Sequence, residues 1–271
     1  WKKNPLGGLP RRYTKINEMR NNGESLVVLD AGDMFYSTNK INNNNIKSEK
    51  HRCATMLQAY NKIGYDGINI GNYELLTGIK YLIDLQNKYP SLSFLSANIK
   101  SKRTNEFILN PYKIVKRGSL DIGVIGVTNM VPDTMNTIKV DDYIKAGNDQ
   151  INKIKDKVDI VVMLVNSDRS THNSLPDKFK NADYIFLSGS TNRTSSSTIQ
   201  KNGGPFMYSN GKQGKHLTII DLELNDRSSE IIDVSTFERK IKQLNNRLKR
   251  LQKKDPNKEL EDIYASQEKI L

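Results

Sequence analysis

Cysteine is all but missing from this 271-residue chain, with Cys53 the single example. One thiol excludes an internal disulfide and any cysteine-based metal or haem motif. Cys53 lies in a stretch, Lys47–Ile63, where Met56, Leu57, Tyr60 and Ile63 share one helical face, so it is read as a small buried residue. Histidine is scarce too: His51, His172 and His216 are the only three, and all are read as surface residues. No apolar run reaches the roughly 18 residues a membrane-spanning helix needs, so no span is expected. Acidic residues are outnumbered, 30 against 42 Lys and Arg, for a net charge of +12. The lysines are spread along the whole chain among asparagines, and aromatics make up only 7%. Specific nucleic-acid binding is therefore not expected; attraction to acidic partners or anionic surfaces fits better. The sequence starts at Trp1 rather than Met, as expected of a processed or partial chain.

What is present alternates. Ser25–Asp30 reads as a buried strand ending in Asp30-Ala31-Gly32-Asp33. The helix 47–63 follows, then a strand at Gly67–Ile70, a helix at Thr77–Lys88 and a strand at Ser93–Leu95. Tyr112–Val115 and Leu120–Val127 read as a hairpin around Arg117-Gly118. Tyr143–Lys157 is helical, Asp159–Val165 is a fully buried strand, and Asp183–Leu187 is another. Pro205–Ser209, Leu217–Leu224 and Ile231–Val234 read as late strands. The alternation indicates an α/β domain with a layered sheet core. Polar residues gather just after strand ends, at Asp33, Asn72, Asn98, Asn166 and Ser190, the edge where sites form in open α/β sheets.

The composition changes near residue 236. Phe237, Ile241, Leu244, Leu248 and Leu251 are spaced 4, 3, 4, 3, an a/d seam among Lys, Arg, Asn and Gln. Asp255-Pro256-Asn257 breaks it, and Glu259–Leu271 resumes as a helix. Two readings stay open: a hairpin folding back on its own domain, or a seam that pairs with another chain. Just over two heptads is marginal alone, so either reading needs a partner surface. The expected division is a domain over 1–235 and a helical assembly segment over 236–271.

Residues 7 to about 224 resemble the metallophosphoesterase domain of the 5′-nucleotidase family, the calcineurin-like phosphoesterases. The landmarks run in order: Gly7-Gly8-Leu9-Pro10-Arg11-Arg12 resembles GGLAR; Leu29-Asp30-Ala31-Gly32-Asp33-Met34-Phe35 resembles LDAGDxF; Gly71-Asn72-Tyr73-Glu74 resembles GNHE; Ser96-Ala97-Asn98-Ile99 resembles SANI; and Ile122 to Thr128 resembles IGVIGVT. The resemblance implies a four-layer α/β/β/α sandwich, here with a C-terminal coiled-coil-like extension. It also implies two metal ions at the strand ends, about 3.5–4 Å apart, that activate water and clamp phosphate.

The departures fall on the ligands. Asp33 matches the bridging carboxylate and Asn72 the amide ligand, but Tyr73 stands where the family has its catalytic histidine. Asn166 replaces a histidine after the buried strand, and Ser190 and Asn192 replace the pair in GGHxH. Zn and Mn rely on imidazole or carboxylate here, and neutral oxygens replace them poorly. Losing several ligands should cost at least about a thousandfold. A phenol, with a pKa of about 10, is not a proton donor tuned to neutral pH. No catalytic residue and no cofactor is therefore expected; Asp33, Asn72, Asn166, Ser190 and Asn192 are read as vestigial metal positions. The leading expectation is an inactive 5′-nucleotidase-like domain used as a scaffold or binding module, with a protein partner or self-association through 236–271. One alternative is a phosphoesterase with a reduced site, in which Asp30, Asp33, Asn72, Glu74, Asn166 and Asp168 hold a single Mg or Ca through oxygens. Another is an anion-binding protein using the hydroxyl-rich loop 188–197 with Arg193. The plainer role for Asp30 is helix capping or turn hydrogen bonding, and for Glu74 capping of the following helix. Family members of this type are usually exported, so an extracytoplasmic location is expected.

Overall fold

A computed structural model describes residues 6–132, 135–189, 192–195, 198, 200, 203–224, 226 and 229–264. The elements follow in chain order: α1 (Leu9–Asn21), β1 (Leu29–Asp30), α2 (Ile46–Ile63), β2 (Gly67–Asn69), α3 (Asn72–Leu75), α4 (Ile79–Lys88), β3 (Phe94–Leu95), β4 (Ile99–Ser101), β5 (Tyr112–Arg117), β6 (Leu120–Thr128), β7 (Ile138–Val140), α5 (Tyr143–Ile154), β8 (Ile160–Asn166), α6 (Leu175–Lys178), β9 (Tyr184–Ser188), β10 (Phe206–Ser209), α7 (Ser235–Gln252) and α8 (Leu260–Tyr264).

Two sheets form the centre. One is parallel, in the order β1-β2-β3. The other runs β10-β9-β8-β6-β5, parallel except for the β5–β6 hairpin. A small antiparallel pair, β4-β7, lies beside them. The alternation of side chains along β8 shows the layering. Ile160, Val162 and Leu164 join Leu95, Val124 and Phe206 between the two sheets. Val161, Met163 and Val165 face Ile151 and Ile154 of α5 and Leu175 of α6. On the far side, Leu57, Tyr60 and Ile63 of α2 and Leu82 and Leu85 of α4 cover Ile68 and Phe94. Helices, sheet, sheet and helices make the four-layer α/β/β/α sandwich, with β8, buried along its whole length, giving one side-chain row to each face.

Local chemistry explains the element ends. α2 stops at Gly64, whose left-handed backbone (φ 78°) a β-carbon would strain. Gly67 faces the second sheet, where an added Cβ would lie 3.4 Å from Val124 of β6 and crowd the side chains of its own-sheet neighbours Leu95 (3.2 Å) and Leu29 (3.3 Å), so glycine leaves room where the two sheets pack.

Several sequence expectations need correction. Leu217–Leu224 and Ile231–Val234 belong to no strand among the described residues. Their alternation reflects burial: Ile220, Leu222 and Ile231 pack on the inter-sheet core. His172 is buried, not on the surface, with its Nε2 3.2 Å from the Ser167 carbonyl. Its polar neighbours in sequence gave no hint that Ser167 turns back over it. Cys53 is buried in α2, as its helical spacing implies. α8 ends at Tyr264, and the rest of the expected helix to 271 lies outside the described residues.

Candidate functional site

Because β1 and β2 run parallel to each other, as do β6, β8 and β9, their carboxyl ends collect polar residues at matching edges. Three side chains stitch those edges together across the sandwich. Asn69, at the end of β2, is buried and donates Nδ2 to the carbonyls of Ala31 and Val127, both at 3.0 Å. Ser188, at the end of β9, donates to the Ala31 carbonyl at 2.6 Å. Asn166, at the end of β8, reaches the α3 turn, where its Oδ1 accepts the Asn72 N–H at 3.2 Å.

Asn166 is buried and held by three hydrogen bonds. Its Oδ1 also accepts the Thr128 hydroxyl at 2.9 Å, while Nδ2 donates to Ser188 Oγ at 2.7 Å. The same amide favours the charged form of the Asp33 carboxyl. An amide offers two donors and two acceptor lone pairs, and both lone pairs are taken.

Asp33 sits at φ 65°, a left-handed conformation uncommon outside glycine and favoured among the rest by Asn and Asp. That backbone aims Oδ1 at the Tyr73 N–H, 3.0 Å away. Burial pushes the Asp33 carboxyl above its ordinary range, and the Tyr73 N–H and the Asn166 amide pull it back. Glu74 lies directly behind. Its Oε1 accepts the N–H groups of Met34 (2.7 Å) and Phe35 (3.2 Å), and its Oε2 those of Asp33 and Gly71, both at 2.9 Å. Burial, then the Asp33 charge, pushes Glu74 up to about 7. Glu74 thus holds the 33–35 loop against α3 and has no free lone pair for a ligand. The Gly71 N–H bond caps α3, the short helix that Glu74 itself belongs to, and not the following helix that the sequence suggested; α4 starts at Gly78 with no side-chain cap.

The remaining candidates scatter. Asp30 accepts Tyr60 Oη–H (2.7 Å) and the Gly32 N–H (2.9 Å), the turn role expected of it. Asp168 is exposed and caps the 3₁₀ turn after β8 through the N–H and hydroxyl of Ser170. Asn192 and Arg193 are exposed; Arg193 bridges Asn210 and lies 3.3 Å from His216. Ser190 lies outside the described residues. Tyr73 packs its half-buried ring against the α2–α4 core, and burial, then the charges of Asp33 and Glu74, raises its phenol further above its ordinary value. The sequence reading missed Asn69, Thr128 and Ser188 as members of the cluster. Each is the last residue of its strand, and that placement was the available signal.

The structure brings Asp33, Asn72, Asn166 and Glu74 together. Such an edge resembles a phosphoesterase centre in position. The chain matches the snake venom 5′-nucleotidase of Crotalus adamanteus at 27% identity over 252 residues, covering 83% of this chain and 41% of that protein. It matches the venom enzyme of Gloydius brevicauda at 36% over 127 residues, 45% of this chain and 20% of that one. The chain carries a 5′-nucleotidase-like domain. This domain spans less than half the length of those relatives. No protein-family model matches it. Two solved structures share its fold. One is a putative 5′-nucleotidase from Staphylococcus aureus (TM-score 0.63, 18% identity, 78% of this chain and 44% of that one). The other is a sulfate thiohydrolase from Thermus thermophilus (TM-score 0.65, 19% identity, 78% and 39%).

Among the described residues the 5′-nucleotidase-like domain does not offer donors that fit a pair of divalent transition metals. Among the described residues no three His, Cys, Asp or Glu side chains are grouped to hold a metal ion. Asp33 is the one carboxylate of the cluster with a free lone pair. Asn166 could ligate only by giving up Thr128 or Asn72, and a neutral amide oxygen is a poor exchange for imidazole.

Proposed function

We propose that this 5′-nucleotidase-like domain is catalytically inactive and serves as a scaffold or binding module, with 236–271 as its assembly segment. The observation that carries the reading is the occupied amide oxygen of Asn166. Where the fold would present a metal ligand, it presents an amide whose Oδ1 already accepts from Asn72 and Thr128 and whose Nδ2 donates to Ser188. The strand ends are closed by protein–protein hydrogen bonds that need no ion. Tyr73 reinforces the reading, since its ring is packed rather than presented and its proton is held too tightly to give up near neutral pH.

An extracytoplasmic setting belongs to the same reading, supported by the relatives named for snake venom. No helix among the described residues is long and apolar enough to cross a membrane.

The test is metal content with activity. The purified protein is loaded with Mn and Zn, desalted, and its metal counted by mass spectrometry. It is then assayed against nucleoside monophosphates and a generic phosphodiester. The expected result is no tightly held ion and no turnover above buffer. One or two ions per chain together with hydrolysis would replace this reading with the reduced oxygen-ligand enzyme.

A further inference from the structure

The apolar face of α7 supplies an inference that rests on the assembly-module reading and specifies the partner. Val234, Phe237, Ile241, Leu244 and Leu248 are 54, 60, 57, 48 and 47% exposed. Their spacing of 3, 4, 3, 4 puts Val234, Ile241 and Leu248 at a positions and Phe237 and Leu244 at d. A stripe this narrow is a coiled-coil seam; a helix lying on lipid presents a wider apolar face. β-branched residues at a with leucine at d favour two parallel strands, a pattern that Val234, Ile241 and Leu244 meet and that Phe237 and Leu248 do not.

The flanks decide what the second strand is. In this frame Lys240 and Arg247 occupy g, and Glu238, Asn245 and Gln252 occupy e. Arg239, Lys240, Lys242, Arg247, Lys249 and Arg250 give the helix six basic side chains against the single acid Glu238. In a parallel pair each g residue faces the following e residue of the other helix. A second copy would set Lys240 opposite Asn245 and Arg247 opposite Gln252, gaining no ion pair while adding another strongly basic helix. An acidic helix would satisfy both cations and neutralise the remainder.

We propose that the α7 seam docks an acidic amphipathic helix of a partner protein, in parallel, with carboxylates opposite Lys240 and Arg247. The seam is closed at its other end. Tyr264 of α8 is buried and donates to the Leu251 carbonyl at 3.1 Å, so the partner contacts the stretch from Val234 to Leu248.

The experiment uses the full chain and two fluorescent synthetic heptad peptides with Ile at a and Leu at d. One carries Glu at e and g, the other Lys. Anisotropy should show the Glu peptide binding at least about tenfold more tightly than the Lys peptide. Added salt should weaken the complex. Leu244→Ser should remove binding without changing the thermal transition of the sandwich, and the double change Lys240→Glu, Arg247→Glu should invert the peptide preference. Equal binding of the two peptides, or binding of neither, overturns the proposal. So does sedimentation as a dimer that Leu244→Ser dissociates, which would assign the seam to a second copy. Preference for phosphatidylserine vesicles over the Glu peptide would assign it to lipid. Phosphoesterase activity in the same preparation would overturn only the inactive-site reading, and failed peptide binding only this one.

Discussion

Asn166 and Asn72, 94 residues apart in sequence, meet at 3.2 Å, the side chain of one accepting the backbone N–H of the other. That bond joins the end of β8 to the first residue of α3, and so links the two sheets where a phosphoesterase would place its chemistry.

Replacing Asn166 with Ala should destabilise the fold by about 2–4 kcal/mol, because it creates a small cavity and removes the amide that the Asn72 N–H, the Thr128 hydroxyl and Ser188 Oγ bond to. Urea denaturation reads this directly. If the site instead held a metal through Asn166, the loss would depend on chelator; none is expected.

Stability should fall as pH rises from about 5 to 7.5. Glu74 titrates near 7 in the folded chain, above the ordinary glutamate value of 4.5. In that interval the folded state binds more protons than the unfolded one, so stability decreases with pH. Asp33→Asn removes the neighbouring charge and should flatten the profile. Denaturation midpoints across the interval, for both proteins, check the sign and its cause.

Arg12 reaches from α1 to donate to the hydroxyls of Tyr60 (2.9 Å) and Tyr65 (2.7 Å), whose rings stack at 3.9 Å. Arg12→Ala should cost about 2–4 kcal/mol, since it leaves two buried phenols and the nearby Asp30 without their cation. A drop in the thermal midpoint with unchanged far-UV dichroism below it is the expected result.

Gly126→Ala should destabilise by about 1–3 kcal/mol through overpacking. A Cβ there would stand 2.5 Å from Asn69 Oδ1 and 2.8 Å from the Leu95 carbonyl, both fixed parts of the junction between the sheets. Calorimetry of the variant measures the cost.

Removing residues 235–271 should leave the thermal midpoint of the sandwich nearly unchanged, because Phe237, Ile241, Leu244 and Leu248 keep about half or more of their surface in water. A large drop would mean that α7 belongs to the core domain, and would move the boundary proposed near residue 236.

Legibility tracked the range of the interactions. The helices α2, α4 and α5 were readable because each repeats apolar residues on one face of a local period. The buried run in β8 was readable from its composition. Beyond the β5–β6 hairpin, the order β10-β9-β8-β6 was not, since there each strand pairs with residues more than twenty positions away. Leu217–Leu224 shows the limit of alternation: it reports which side chains are buried, and says nothing of whether the backbone finds a neighbour. At the site, Asp33, Asn72 and Asn166 could be placed together by resemblance. The roles of Asn69, Thr128 and Ser188 depend on two sheets closing on each other, which no local pattern records.

The clasp of Tyr264 on Leu251 gives the α7 seam a fixed zero. A helix laid along it cannot slide past the turn at Asp255, so the reading frame of the pair is set from that stop, as a rule is read from its butt end. A partner of the proposed kind would carry its carboxylates at set intervals from that stop.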